Sequence, residues 1–507
     1  MGVAARPAGP RSWLAGLRGG RADLTAWAAG LLAALALPPI FLLPALLLAV
    51  PVLLVLVGSA PSLAVALRRG WWFGLGVNLV GLYWITDAIM VEAARFWWFI
   101  PIAVPALAAV LALFIAFAAG MAWLARPGWP RVAALASAWV LGDLARQFIA
   151  TGFPWNLWGS VWEFPGRAGD VMIQPAALVS IHGLTLATLA LAALPLLGWR
   201  FRLAGVALLA AWAGFGIHRL AAASAPAPNL TAVLVQGDIL EGQKWSPALA
   251  QAIFARYLDL TREGVREAGP GPKLVIWPET ASPYLIERDP VARQMIAHAA
   301  GDATSLIGAV RFDPRGRPRN SLFALGPTGA IEDVYDKWHL VPFGEYQPGW
   351  FPLPVQIVPG DGFAAGPGPE TMHVAGLPAI GPLICYEAIF PGQVADEADR
   401  PALLVNITND AWFGNSTGPH QHLAAARMRA VEEGLPLLRA ANTGISAAFD
   451  GYGHQLARLG LGRAGTLIVR VPGPLPATPF ARFGLWIPLT FALIGLGAGL
   501  APGLRRG

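Results

Sequence analysis

The chain has 507 residues, of which 55% are hydrophobic and only 13% charged, with a mean hydropathy of +0.53. Soluble domains carry about 25% charged residues, so the composition excludes an ordinary soluble protein and implies one embedded in a membrane. The formal charge of +6 does not mark a nucleic-acid binder: residues 222–479 hold 19 Lys and Arg against 24 Asp and Glu, a net of −5, with no basic stripe interleaved with aromatics.

Apolar residues concentrate between 22 and 221 and again between 480 and 502. A membrane helix needs about 20 mostly apolar residues. Eight stretches qualify: 22–38, 40–58, 70–90, 98–125, 130–150, 171–198, 201–221 and 480–502. Only Leu37-Pro38-Pro39 separates the first two. Asp143 and Arg146 interrupt the fifth, where they pair or face the bundle or an interface.

Arginine placement predicts orientation. Arg6, Arg11, Arg18 and Arg21 precede the first span, and Arg68 and Arg69 follow the second. Arg126 and Arg131 follow the fourth, Arg200 and Arg202 the sixth, and Arg505 and Arg506 the eighth. The alternate loops carry fewer, such as Arg95 and Arg167. Both termini are therefore expected in the cytoplasm, with the globular segment after span seven outside it. The alternate loops hold Phe96-Trp97-Trp98-Phe99 and Phe153-Pro154-Trp155-Asn156-Leu157-Trp158, read as an interfacial aromatic belt, with lipid binding as the second reading.

The expected organisation is a seven-span membrane domain over 1–221, a globular domain over 222–479 and a final span with a basic tail over 480–507. Pro- and Ala-rich linkers at 221–228 and 472–479 bracket the globular part. Short β-branched or apolar runs predict strands at 231–235, 273–277, 304–310, 321–325, 379–384, 402–407, 446–449 and 466–471. Residues 289–300 and 420–433 read as helices. The pattern predicts a mixed α/β sandwich with helices covering sheets.

Cys385 is the only cysteine, so it is not there to form an internal disulfide. A thiol becomes a strong nucleophile as thiolate and needs a base or cation to get there. Glu279, behind Trp277-Pro278, can supply a base. Lys337, after Val334-Tyr335-Asp336, can steady a thiolate and the oxyanion formed at a carbonyl. The three make a self-consistent acyl-transfer set. His420 and His422 lack an accompanying ligand cluster, so no metal is expected. Asn409-Asp410 reads as a turn positioning the Cys385 loop. The aromatic stretch 338–351, broken by Pro and Gly, is either a packed loop or an apolar arm beside Lys337 that touches the bilayer, and Trp412-Phe413 is a second candidate arm.

With these residues the sequence resembles the nitrilase superfamily, and within it the membrane-embedded apolipoprotein N-acyltransferase family, over essentially the whole chain. The resemblance rests on Gln236-Gly237, Lys244-Trp245, Trp277-Pro278-Glu279-Thr280 and Tyr335-Asp336-Lys337. It continues through 340–346, Cys385-Tyr386-Glu387, 409–414, 426–429 and 439–446. It implies a nitrilase-like α-β-β-α sandwich beside about eight transmembrane helices, with Glu279 as general base, Cys385 as nucleophile and Lys337 as stabiliser. Trp245, Glu345, Tyr386 and Glu387 match further positions important in the family. Glu345 would orient Lys337 or support the base, and Trp245 and Tyr386 would shape substrate access. Core packing is the competing reading for Trp245 and Tyr386, and a satisfied buried carboxylate for Glu387.

The resemblance further implies an acyl chain, the sn-1 chain, passing from a membrane phospholipid through a Cys385 thioester to the α-amine of a diacylglyceryl-cysteine on an apolipoprotein. It implies no cofactor, no nucleic-acid partner, a bacterial inner-membrane location and a periplasmic catalytic domain. Two alternatives stand beside it: a membrane-anchored amidase acting on a small C–N substrate, and an inactive scaffold.

Overall fold

The computed structural model describes residues 9–91, 93–222, 226–350 and 362–501. Of the residues singled out above, Arg6, Phe351, Arg505 and Arg506 lie outside these, as does the side chain of Arg95. The chain divides into a helical unit (Met1–Thr86, Trp98–His218, Leu485–Gly507) and an α/β unit (Asp87–Trp97, Arg219–Gly484).

In the helical unit, three helices among the described residues are long and apolar enough to cross a membrane: Trp97–Leu124, Ala176–Leu196 and Trp199–Leu220. Leu43–Gly58 and Trp486–Leu500 are apolar but shorter. The expected span at 171–198 is two helices, Arg167–Ile173 and Ala176–Ala192. Pro175 lies between them, and Ser180 has a φ of 63° inside the second. The expected span at 480–502 breaks at Gly484, which has a φ of 54°. Hydropathy reads neither break, because a single Gln174 or Arg482 beside each does not interrupt an otherwise apolar run. Within Trp129–Phe148, Arg146 Nη2 lies 2.9 Å from Asp143 Oδ1, so these buried charges pair. Trp155 and Trp158 are buried in this unit rather than lying in an exposed belt, whereas Trp97 and Trp98 are exposed.

The α/β unit alternates strictly. On β1 (Thr231–Gln236), Ala232 and Leu234 enter one core while Val233 and Val235 enter another. That is the period of a strand with an apolar layer on each face. β1 continues into β2 (Lys273–Ile276), β3 (Thr304–Phe312), β4 (Pro318–Leu325) and β5 (Ile331–Asp336). With β11 (Gly465–Arg470) they form a six-stranded sheet in the order β11-β1-β2-β3-β4-β5, in which β1, β2 and β3 are parallel. β6 (Ile380–Ile384), β7 (Leu403–Thr408) and β8 (Leu437–Ala441) run parallel. β9 (Ser446–Phe449) and β10 (Gln455–Leu459) complete a five-stranded sheet, β10-β9-β8-β7-β6.

The core between the sheets joins Leu234, Ile276, Leu306 and Leu322 to Ile384, Val405, Ile407 and Leu438. Outside the larger sheet lie helices Ala250–Glu267 and Pro290–Ala300, and outside the smaller one Gly418–Glu433. The result is an α-β-β-α sandwich. All eight expected strands form. β5, β8, β10 and helix Ala250–Glu267 were not anticipated. β5 is an edge strand whose Glu332, Asp333 and Asp336 break any apolar run, and β8 carries Arg439 at its centre.

Candidate active site

Three strand ends bring the candidate residues together. Glu279 follows β2, Lys337 directly follows β5, and Cys385 directly follows β6. Carboxyl ends of strands are where open α/β sheets place their ligands, because loops there converge without interrupting the core.

Each end is pinned by specific contacts. Asp336, the last residue of β5, accepts from Arg311 Nη2 at 2.5 Å, Arg319 Nη1 at 2.7 Å and Ser321 Oγ at 2.6 Å. Burial opposes the charge on Asp336, but these donors hold its carboxyl below the usual range. Lys337 N then donates to Asn320 O at 2.8 Å, which fixes where the lysine leaves the strand. Beside Glu279, Gly308 admits a main-chain approach that a side chain would block: a Cβ there would lie 2.1 Å from Pro278 O and 2.9 Å from Glu279 Cα.

Cys385 opens a short 3-10 turn, Cys385–Ile389, with a φ of 53°. A non-glycine residue in the left-handed region costs roughly 1–2 kcal/mol, and such strain persists where the surroundings over-determine it. Here they do. Cys385 O lies 3.0 Å from His422 Nε2, and His422 Nδ1 lies 2.9 Å from Asp410 Oδ1. Asp410 Oδ2 in turn accepts from Arg439 Nη2 at 2.7 Å, and Arg439 also bonds Asn406 Oδ1. The Asn409-Asp410 turn therefore does reach the cysteine, through His422.

The charged groups form one network. Lys337 Nζ donates to Glu345 Oε1 at 2.9 Å and to Glu279 Oε1 at 3.4 Å. Asn320 Nδ2 joins the two carboxylates, at 2.7 Å from Glu279 Oε1 and 3.0 Å from Glu345 Oε1. Glu279 Oε2 accepts from Asn409 N at 2.8 Å. Burial alone would push Lys337 down, but Glu345 and Glu279 outweigh it and hold the ammonium well above the ordinary lysine range. Burial pushes the Cys385 thiol up, Glu279 adds to this, and Lys337 opposes it. Cys385 is thus held as a neutral thiol, with Glu279 and Lys337 acting on it in opposite directions. That set suits proton transfer followed by attack on a carbonyl.

The other expected residues divide. Glu345 is part of the cluster and also accepts from Val341 N at 2.8 Å. Glu387 is a fully engaged buried carboxylate, accepting from Ile384 N at 2.6 Å, Trp338 N at 2.8 Å and Tyr335 OH at 3.0 Å. It ties the loop after Lys337 to the turn bearing Cys385. Tyr386 is buried, its ring centroid 5.2 Å from that of Phe390 and 5.7 Å from that of His339. Trp245 is 58% exposed, so core packing does not describe it. Its Nε1 donates to Glu241 Oε1 at 2.9 Å, and Glu241 Oε2 accepts from Asn409 Nδ2 at 2.6 Å. In the aromatic stretch after Lys337, Leu340 is buried and Trp350 is exposed.

Sequence reasoning assigned no role to Asn320 or Lys244. Lys244 is buried and its Nζ donates to Glu279 O at 3.0 Å. Burial pushes its ammonium down, against the pull of Glu241 and Glu279. A signal for it was present: Lys occurs only at 244, 273 and 337 in a chain otherwise rich in Arg. Nothing local marks Asn320.

Residues 231–475 match the family described as Carbon-nitrogen hydrolase, and residues 29–194 match the Apolipoprotein N-acyltransferase N-terminal domain. An apolipoprotein N-acyltransferase of Brucella melitensis biotype 1 is 38% identical over 512 residues, covering 95% of each chain. One of Bradyrhizobium diazoefficiens is 40% identical over 507 residues, covering 92% of each. Among solved structures, an amidase from Nesterenkonia sp. superposes with a TM-score of 0.38 at 20% identity, covering 50% of this chain and 93% of that one.

Proposed function

The chain belongs to the apolipoprotein N-acyltransferase family, and we propose that Glu279, Lys337 and Cys385 carry out its acyl transfer in two half-reactions. In the first, Glu279 takes the Cys385 proton and Sγ attacks the ester carbonyl carbon of a membrane phospholipid, at the sn-1 chain. The oxyanion that forms is stabilised by the Lys337 ammonium. The ester C–O bond breaks, Glu279 returns the proton to the departing glycerol oxygen, and lysophospholipid leaves an acyl thioester on Cys385.

In the second half-reaction the α-amine of a diacylglyceryl-cysteine at an apolipoprotein N-terminus attacks the thioester. Glu279 accepts the amine proton, the C–S bond breaks, and the thiol is restored with the amide product. Trp245 and Trp350, both exposed, line the approach for the acyl chains, while Glu345 and Asn320 hold Lys337 and Glu279 in register. Both substrates reside in a bilayer, which accounts for a nitrilase-like domain within a membrane protein. In this reading the chain crosses the inner membrane eight times, with both termini cytoplasmic and the catalytic domain periplasmic.

The observation that carries the reading is the single buried cluster of Lys337 with Glu279 and Glu345 beside the strained Cys385 turn, in a chain matching the family along both units. The amidase alternative leaves the match over residues 29–194 without a role. The test is peptide mass spectrometry after incubation with phospholipid. An acyl adduct on Cys385, absent in Cys385→Ala and discharged by a diacylated lipopeptide, is expected. A folded protein that forms no adduct but releases ammonia from small amides overturns the proposal.

A further inference from the structure

The helical unit contains an apolar slot of about 550 Å³, within the roughly 300–1,000 Å³ range of ligand pockets. Its walls come from the start of Leu46–Gly58, the turn Trp158–Trp162, the helix Ala176–Ala192 and the helix Trp199–Leu220. The slot is partly open rather than enclosed, so a ligand can enter it from outside.

One wall of the slot, Trp199–Leu220, is largely uncovered by the rest of the chain. Only 17% of its apolar window is buried. It approaches its neighbours through small residues: a Cβ on Gly205 would lie 2.3 Å from Leu194 Cδ1, and one on Gly216 would lie 2.1 Å from Val171 O. Trp212 Nε1 adds a bond to Met172 O at 2.6 Å. Arg202 and Leu209, seven residues apart on one helix face, border the slot instead.

The lining is apolar except for Thr188 and Arg202. Thr188 Oγ1 is engaged, accepting from Trp162 Nε1 at 2.7 Å and donating to Leu184 O at 2.6 Å. Water needs two to four polar partners, and the walls do not provide them, whereas a hydrocarbon chain needs none. Arg202 is held in place: Nε donates to Leu197 O at 3.0 Å and Nη2 to Pro195 O at 3.1 Å. Among the described residues Nη1 has no hydrogen-bond partner. Arg200 lies two residues away, 5.6 Å from the ring centre of the exposed Trp199. Arginine beside tryptophan at the end of an apolar helix is the chemistry of a membrane interface, and basic pockets between membrane helices bind anionic headgroups.

We propose that this slot binds one anionic phospholipid, with an acyl chain against Leu191 and Leu209 and the phosphate on Arg202. No free nucleophile lines the slot, so a lipid there is retained rather than consumed. The inference rests on the helical unit alone and is independent of the acyl-transfer reading.

The test is native mass spectrometry of the full chain as Cys385→Ala, which removes turnover. The protein is delipidated in detergent and offered dioleoylphosphatidylglycerol or dioleoylphosphatidylethanolamine. Cys385→Ala is expected to retain one phosphatidylglycerol more than its Leu191→Trp derivative, with about a fivefold preference over the zwitterionic lipid, the effect of one arginine at a headgroup. Leu191→Trp, which fills the slot, should lower retention of both lipids. Arg202→Gln, at an exposed position, should keep chain binding and abolish the preference. Lipid bound at the catalytic site contributes equally to all three proteins, so only their differences are read. Retention unchanged by Leu191→Trp, or a preference unchanged by Arg202→Gln, overturns the proposal.

Discussion

His422 Nε2 lies 3.0 Å from the main-chain oxygen of Cys385, across 37 residues of sequence. The contact grips a residue whose φ is 53° and whose side chain is the proposed nucleophile. His422 thus acts on the position of the thiol through its backbone. Losing a buried hydrogen bond costs about 1–3 kcal/mol, which corresponds to roughly 5- to 150-fold in rate if it is felt at the transition state. His422→Ala should therefore slow thioester formation on Cys385, followed by mass spectrometry, by about that factor in a protein that remains folded. His422→Gln, which can keep a donor, should recover part of the loss.

The Cys385 thiol is raised first by burial and then by Glu279, with Lys337 opposing. A raised thiol stays protonated through neutral pH, and its thiolate fraction climbs tenfold per pH unit with no plateau in the ordinary thiol range. Iodoacetamide alkylation of Cys385 should rise in that way from pH 7 to pH 9. Glu279→Gln removes a charge that raises the thiol, so alkylation at a given pH should accelerate. Acylation by phospholipid should instead fall by about 100-fold or more as the proposed general base is lost. Lys337→Met should slow both. If Glu279→Gln slowed alkylation as well, its charge would not be what holds the thiol up.

Glu387 gathers donors from Ile384, Trp338, His339 and Tyr335 inside the core. Glu387→Ala leaves them buried without an acceptor, at about 1–3 kcal/mol for each. Tyr335→Phe removes one bond and should cost about 1 kcal/mol. Thermal unfolding should show a much larger fall in melting temperature for the first substitution. Equal falls would mean that the backbone donors find other partners.

Gly308 faces Pro278 O so closely that any Cβ must displace main chain rather than a flexible side chain. The displaced segment carries Glu279. A misplacement near 1 Å can cost about 100-fold in rate, so Gly308→Ala should reduce acyl transfer by about that much. Gly242→Ala, where nothing lies within 4 Å of the added carbon, is the matched control and should be nearly silent.

Most strands were legible because β1, β2, β3, β6 and β7 are short apolar runs bounded by turn residues, a signal carried by neighbouring residues alone. The edge strands β5 and β10 were not, since an edge needs fewer apolar positions and tolerates charge. The helix break at Ser180 escaped hydropathy because the break is a backbone angle rather than a change in polarity.

The sequence by itself determined that the chain is mostly apolar, that a less apolar α/β segment interrupts the helices, and that Glu279, Lys337 and Cys385 stand in motifs resembling the family's. Those are properties of composition, periodicity and residue order. Only the tertiary structure decided that Asn320 joins Glu279 to Glu345, that Lys244 bonds the main chain of Glu279, and that His422 grips Cys385. Each of these contacts links positions more than 20 residues apart in the chain. Such pairings follow from which strand ends two packed sheets bring together, and no local pattern encodes that.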